Sequence, residues 1–342
     1  MRAMLLDKIA PVTQQSQILK LAELPEPQAG PDEVRIKVSV CGVCHTELDE
    51  IEGRTAPSQL PVIPGHQVVG TIDQVGTQVD QLTAGQRVGA GWIFSACGSC
   101  QWCTSGRENL CPEFVATGRD RHGGYAEYAV LPAAYVFPIP DVYSDAEAAP
   151  LLCAGAVGYR ALKLCELENG QRLGLTGFGA SAHLILQVAN HLYPDSPVYV
   201  FARNVDQRAF ALTLGADWAG NTNEPPPHGL DAIIDTTPAW LPVIYGMEFL
   251  NPGGRMIINA IRKESEEQRE LMKLDYGRHL WMEKRLQSVA NVTRADIIEF
   301  LAIAAKLDLR VEIHTFPMAD ANQALRQIRG QAPNGATVLQ IE

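Results

Sequence analysis

The chain lacks any run of about 18 uninterrupted apolar residues, so nothing in it reads as a membrane-spanning helix. Its opening residues, Met1 to Lys8, hold no apolar stretch long enough for a secretory signal, and a cytoplasmic setting is expected. A basic excess is missing as well: 28 Lys+Arg against 39 Asp+Glu leave a net charge of −11 at pH 7. Phosphate-backbone binders carry the opposite footprint, so no nucleic-acid partner is expected. Eight cysteines among 342 residues are too sparse for a disulfide scaffold, and no internal repeat or low-complexity tract is present. What remains is ordinary globular material, 46% hydrophobic and 20% charged, of a length that suits two domains.

Two textures meet near residue 150. The first is rich in Gly and Pro, with alternating runs such as Glu33–Val40 and His66–Asp73. Period-two alternation broken by turn residues predicts antiparallel β-structure. In the second, strands at Leu173–Thr176, Val198–Ala202, Asp231–Asp235, Arg255–Asn259 and Leu286–Ala290 are separated by helical or turn-rich stretches. Strand–helix alternation of this kind predicts an α/β domain with a parallel, doubly wound sheet. Pro225-Pro226-Pro227 reads as a loop within it. After Asn291 come helix, strand (Val311–Phe316), helix and strand (Thr337–Ile341), a tail expected to pack back on the first domain. The domains are therefore drawn as 1–154 with 291–342, and 155–290.

Cysteine spacing carries the strongest chemical signal. Cys97, Cys100, Cys103 and Cys111 lie so close in the chain that four thiolates can close around one ion. A tetrahedral four-sulfur shell suits zinc, and a closed shell makes the site structural. Free or disulfide-linked cysteines and an iron–sulfur centre are the alternatives; the expected reducing compartment and the lack of a second cluster weigh against them. Cys44, His66 and Cys153 are dispersed, and each alone is weak evidence. Together they offer two thiolates and an imidazole, a ligand set for catalytic zinc with an open fourth position. Cys41 and Cys165 have no partner by spacing and read as small buried residues.

Gly177-Phe178-Gly179-Ala180-Ser181-Ala182 follows a predicted strand and opens an apolar helix. This is the G-x-G-x-x-A turn in the context a dinucleotide site requires. The glycines allow a tight turn and close approach of a pyrophosphate, which helix N-terminal amides then bind. At the end of the next strand, where an NAD site usually places an acid on the ribose 2′-hydroxyl, stands Ala202, followed by Arg203. A 2′-phosphate would meet no repulsion there and gain a charged partner, which leans towards NADP(H). The other reading leaves Arg203 in solvent or stacked on adenine.

These residues together resemble the zinc-dependent alcohol dehydrogenases of the medium-chain dehydrogenase/reductase family. The resemblance spans the chain through Cys41-Gly-Val-Cys44-His-Thr-Glu-Leu48, Pro64-Gly-His66-Gln67, the four-cysteine lobe, Gly123-Gly-Tyr125-Ala-Glu127-Tyr128, Pro150-Leu-Leu-Cys153-Ala-Gly155 and the glycine turn. It implies a GroES-like β-rich catalytic domain, a Rossmann domain and a cofactor cleft between them. It further implies two zinc ions per chain, catalytic at Cys44, His66 and Cys153 and structural at the lobe. Thr46 matches the hydroxyl that passes the substrate proton outward, His45 a basic position near the cofactor pyrophosphate, and Trp92 a bulky residue narrowing the alcohol pocket. Glu47 matches an acid, usually Asp, that orients the ligand His, whose second nitrogen needs an acceptor to fix its tautomer.

Three departures stand out. Gln67 replaces a Glu that can swing onto the metal in many relatives. Asp49 stands where several relatives end a proton relay in His, and an ordinary carboxylate is a weak base at pH 7. The Gly335-Ala336 region lacks an Arg that relatives place near the pyrophosphate. The implied activity is reversible hydride transfer between a small alcohol or aldehyde and NAD(P), by a homodimer or homotetramer. A polyol or cinnamyl-type dehydrogenase of the same family and a non-catalytic nucleotide-binding relative are the alternatives.

Overall fold

The computed structural model describes residues 1–330 and 334–341. The chain divides into two compact units, one made of Met1–Cys153, Val292–Asp308 and Glu312–Glu342, the other of Ala154–Asn291 with Leu309–Val311. The predicted second stretch of the first domain runs unbroken from 291, whereas residues 309–311 group with the other unit. The reason is a reciprocal amide clasp, Arg310 N–H to Gln187 Oε1 at 2.9 Å and Gln187 Nε2–H to Arg310 O at 3.1 Å.

In the first unit, the strand Glu33–Val43 is the spine. Val34, Ile36, Val38 and Val40 alternate inward and are all buried, as a half-buried strand requires. It pairs antiparallel with Gln67–Val75, with Tyr128–Pro132 and with the tail strand Ala336–Gln340. That tail strand also pairs with Ile313–Pro317, and this pair is parallel, unlike the antiparallel texture expected of the domain. Side chains from these strands, Leu48 and Ile51 form one apolar core. Each such side chain contributes about 1.5–3 kcal/mol of burial.

The second unit holds six parallel strands, in the order Trp218–Gly220, Val198–Phe201, Leu173–Thr176, Leu230–Asp235, Leu250–Ile258, Arg285–Ser288. Numbered along the chain this is 3-2-1-4-5-6, the doubly wound order, and it reverses beside Leu173–Thr176. The short strand Trp218–Gly220 had no periodic signal. Leu250–Ile258 starts five residues earlier than its apolar core suggests, because Gly253 and Gly254 mask its beginning. Residues 259–284 form an excursion with short helical turns at Gln268–Lys273 and Tyr276–Leu280. Lys284 ties it down, donating to Met247 O at 2.8 Å and Arg278 O at 2.9 Å. Among the described residues no helix is long and apolar enough to cross a membrane.

Candidate functional site

Three elements of the first unit bring Cys44, His66 and Cys153 together. Cys44 is the N-cap of the helix His45–Ile51, and its Sγ accepts the Thr46 N–H at 3.3 Å. His66 directly precedes the strand Gln67–Val75. Cys153 lies in a π-helical turn, Leu151–Gly155, that follows the helix Asp145–Pro150. Pro150 has no N–H to continue the α-helical ladder, and wider turns of this kind mark sites where a side chain is re-aimed. The donor atoms of the three residues all lie within 4.8 Å of one another, with Cys44 Sγ 4.0 Å from His66 Nε2.

Glu47 serves this trio twice. Its Oε2 accepts the Cys44 backbone N–H at 2.8 Å, completing a capping box, while Oε1 lies 2.5 Å from His66 Nδ1. One carboxylate therefore stops the helix end and fixes the imidazole with Nε2 turned to the two sulfurs. Glu47 and His66 are both fully buried. Burial raises the Glu47 carboxyl, but the His66 charge together with the hydrogen bonds from His66 and the Cys44 N–H outweighs it and leaves the group below the ordinary range. His66 stands well above the imidazole range; burial lowers it, and Glu47 with Cys44 reverses the sign. The neighbouring Cys153 thiol, followed by burial, pushes Cys44 well up. Two thiols and an acid placed this close disfavour one another's anionic forms, and a divalent cation is the charge that this donor set fits.

The lobe is built differently. Cys97, Cys100, Cys103 and Cys111 also bring their sulfurs within 4.8 Å. Gly98 and Gly106, both at positive φ, turn the chain back on itself there. The Cys97–Cys103 sulfur separation is 3.8 Å. A tetrahedral ion with metal–sulfur bonds of about 2.3 Å has an edge of about 3.8 Å, so the cage already has zinc dimensions. Backbone N–H groups of Ser99 and Cys100 lower the Cys97 thiol to about 6.

The other predicted residues are placed as follows. Thr46 is buried, and His45 is exposed at the first position of the same helix. Asp49 is buried, with Oδ1 held by Arg54 Nε at 2.6 Å. Gln67 packs over Gly42, where a Cβ would come within 2.6 Å of its amide oxygen. The Trp92 ring meets the His66 ring edge-on at 6.5 Å.

In the second unit, the turn Gly177–Ala182 joins the strand Leu173–Thr176 to the helix Ala180–Leu192 beside the point where strand order reverses. Gly177 has φ 77°, and a Cβ there would meet Thr236 Oγ1 at 2.8 Å, so glycine is required twice over. A Cβ on Gly179 would meet nothing within 4 Å, which leaves open space over the helix N-terminus. An anionic diphosphate fits that cradle. The Ser181 hydroxyl donates to Ala154 O at 2.8 Å and accepts from Asn259 Nδ2 at 3.0 Å. Its side chain is therefore committed internally, and its backbone N–H is the group left to meet a ligand. The strand Val198–Phe201 ends one residue earlier than predicted, and Ala202, buried, and Arg203, exposed, follow it directly.

Sequence reasoning missed three features. Arg208 reaches back so that Nη1 donates to Ala202 O at 2.8 Å and Arg203 O at 3.0 Å, bringing a second guanidinium beside Arg203. Its signal was helical spacing from the strand end. Lys263, half-buried, donates to Asp235, Thr237 O and Ala239 O behind the glycine turn; 28 residues separate the ion pair, and no pattern announces it. Glu50 is buried and accepts the Trp92 indole N–H at 3.0 Å. An acid three residues after Glu47 on an otherwise buried helix was the available clue.

Comparisons with known proteins agree with this geometry. Residues 30–141 match the alcohol dehydrogenase GroES-like domain. The chain is 40% identical over 320 residues to a probable alcohol dehydrogenase, AdhA, of Mycobacterium tuberculosis, covering 92% of this chain and 90% of that one. It is 32% identical over 349 residues to an alcohol dehydrogenase of Geobacillus stearothermophilus, covering 98% of this chain and all of the relative. The structure of a cobalt- and zinc-bound thermostable alcohol dehydrogenase from Pyrobaculum aerophilum superposes with a TM-score of 0.85 at 25% identity, over 99% of both chains. With the thiol–imidazole trio and the four-sulfur lobe in one unit and the doubly wound sheet in the other, the chain belongs to the zinc-dependent alcohol dehydrogenases of the medium-chain dehydrogenase/reductase family.

Proposed function

We propose that this alcohol dehydrogenase interconverts a small primary or secondary alcohol and its carbonyl counterpart, holds two zinc ions per chain, and uses NADP(H) in preference to NAD(H). The observation that carries the reading is the pairing, within one unit, of a closed four-sulfur cage with an open set of two sulfurs and one imidazole. Cys44, His66 and Cys153 would hold the catalytic ion, and Cys97, Cys100, Cys103 and Cys111 the structural one. When bound, zinc supplies a Lewis acid for the substrate oxygen and the nicotinamide supplies the hydride chemistry.

The chain's own residues do the rest. Glu47 holds the proton of His66 at Nδ1, so Nε2 stays available as a donor. Thr46 Oγ1, a hydroxyl that can accept and donate at once, takes the substrate proton and passes it outward. Asp49 has Oδ1 committed to Arg54, and we assign it the role of hydrogen-bond acceptor beside that route. His45, exposed at the helix start, offers a charge for the cofactor pyrophosphate. Gln67, packed over Gly42, stays with its strand. The amides of Gly179, Ala180 and Ser181 receive the diphosphate.

The NADP(H) preference is supported by the buried Ala202, which offers no carboxylate, and by two guanidinium groups. Arg203 is exposed and, among the described residues, has no hydrogen-bonded or ion-paired side-chain partner; Arg208 lies on the carbonyls beneath it. Self-association as a dimer or tetramer is supported by the edge strand Arg285–Ser288, all four of whose residues are exposed. An open edge is a template for a second copy.

The test is a pair of initial rates with a small aldehyde, NADH and NADPH at equal subsaturating concentration, on protein of measured zinc content. The expected result is about two zinc ions per chain, turnover, and faster reduction with NADPH. Undiminished turnover by protein shown to be free of zinc would sink the metal assignment. Preference for NADH would remove Arg203 and Arg208 from the cofactor site.

A further inference from the structure

Trp92 is held on four sides. Its carbonyl accepts the Thr117 N–H at 2.8 Å, and its indole N–H donates to Glu50 Oε1 at 3.0 Å. Phe114 packs against the ring at a centroid distance of 5.0 Å. The Arg119 guanidinium carbon sits 5.3 Å from the Trp92 ring centroid and 5.4 Å from that of Phe114. Arg119 is itself fixed, since Nη2 donates to Asp120 Oδ2 at 2.6 Å and that oxygen also accepts the Ala116 N–H at 2.8 Å. Ile93, next to Trp92, pairs with Ala116 in a two-stranded ribbon, so the clamp and the ring share one small frame. The edge that remains faces His66.

Glu50 is the costly member of this frame. Only 1% of it is exposed, its Oε2 is buried without a hydrogen-bond partner among the described residues, and its side chain accepts one hydrogen bond there, from Trp92. Burial, then the Glu47 charge, pushes its carboxyl up to about 8, so it accepts the indole N–H hydrogen bond largely as a neutral acid at pH 7. A buried carboxyl with one partner is a destabilising choice where a leucine would fill the space. The indole N–H can only donate, and a donor this close to the metal trio would otherwise rotate towards the most available acceptor.

We propose that Glu50 and Arg119 are positioning residues that lock the Trp92 indole as a wall of the substrate space beside His66, and so make the enzyme select slim alcohols over bulky ones. The inference rests on the reading of Cys44, His66 and Cys153 as the substrate-binding centre. Glu50 fixes the rotation of the ring through its N–H; Arg119 presses on its face through the cation–π contact.

The test compares zinc-replete wild type, Glu50→Gln, Glu50→Leu, Arg119→Met and Trp92→Ala, using kcat/KM for ethanol and for cyclohexanol. The amide of Glu50→Gln keeps an acceptor oxygen and should keep the wild-type ratio of the two. Glu50→Leu should shift that ratio about tenfold towards cyclohexanol, mainly through KM, with Arg119→Met shifting it less in the same direction. On a Trp92→Ala background, Glu50→Leu should add no further shift. An equal loss for both alcohols, or a full additional shift in the double variant, would overturn the proposal. A readout independent of turnover is hydrogen exchange at Trp92 Nε1–H by NMR, slow in wild type and Glu50→Gln and at least tenfold faster in Glu50→Leu. If wild type oxidises neither alcohol, the activity reading fails; that exchange pattern would still support the lock, and equal exchange in all three proteins would overturn it.

Discussion

The two sulfur sites of the first unit show opposite ways of gathering metal donors. The lobe draws Cys97, Cys100, Cys103 and Cys111 from fifteen consecutive residues, and its geometry comes from the backbone, with glycines at positive φ and N–H groups aimed at sulfur. Little apolar packing supports it. The trio draws Cys44, His66 and Cys153 from a span of more than a hundred residues, and each side chain is set by an element that the core already fixes: a helix cap, the start of a strand, a π-turn. A local cage gains its rigidity from the ion it binds, whereas a dispersed site borrows rigidity from the fold. The first should therefore matter for stability and the second for chemistry.

Four measurements would break or sharpen that contrast. The largest effect is expected from Cys44→Ser. Turnover should fall at least about a thousandfold, since a metal centre supplies several kcal/mol and 1.36 kcal/mol is tenfold. Zinc content should drop by one per chain while the thermal midpoint barely moves. Next is Cys100→Ser, which should lower the midpoint by roughly 5–10 °C and open the 97–111 segment to proteolysis, because metal binding there is folding energy. If the serine at 44 unfolded the protein and the serine at 100 only slowed it, the contrast would be reversed. Glu47→Ala should weaken zinc binding at the trio by about 10–100-fold, the usual cost of removing an orienting carboxylate, and leave the lobe's zinc in place under chelator titration.

The smallest effect concerns acid. Burial raises the Asp120 carboxyl, but Arg119 and the Ala116 N–H bring it net below the ordinary aspartate value. A group lowered in the folded state stabilises fully above its unfolded pKa, about 3.9, and that contribution is lost as pH falls through the folded value. The unfolding free energy of wild type, from denaturant titration, should thus exceed that of Asp120→Asn at pH 6 by under about 1 kcal/mol, and the gap should close towards pH 3. A gap that widened on acidification would contradict the clamp on Trp92.

How much was legible before the fold was known follows the same division. The lobe could be read outright because ligand spacing and ligand geometry are both local. The glycine turn could be read for the same reason, as could five of the six parallel strands; Trp218–Gly220 is too short to show a period. The trio was read as a plausible ligand set from residue types, and only the resemblance assigned it to one ion, since no pattern in the chain joins Cys44 to Cys153. Ser181 was placed in the right turn, but its hydroxyl proved to be tied to Ala154 and Asn259. Glu50, Arg119 and Lys263 were missed because their partners lie 42, 27 and 28 positions away, as Trp92 from Glu50, Trp92 from Arg119 and Asp235 from Lys263.

The sequence by itself determined the elements, the four-cysteine cage and the glycine turn, because side-chain periodicity, glycine conformation and ligand spacing act over a few residues. Only the tertiary structure decided which acid would meet which ring: that Glu47 would serve both Cys44 and His66, that Asp49 would go to Arg54, and that Glu50 would be buried beneath Trp92. Three carboxylates on about one turn of helix are alike in sequence. They acquire different roles because the helix turns each towards a different neighbour, and burial makes each pairing exclusive.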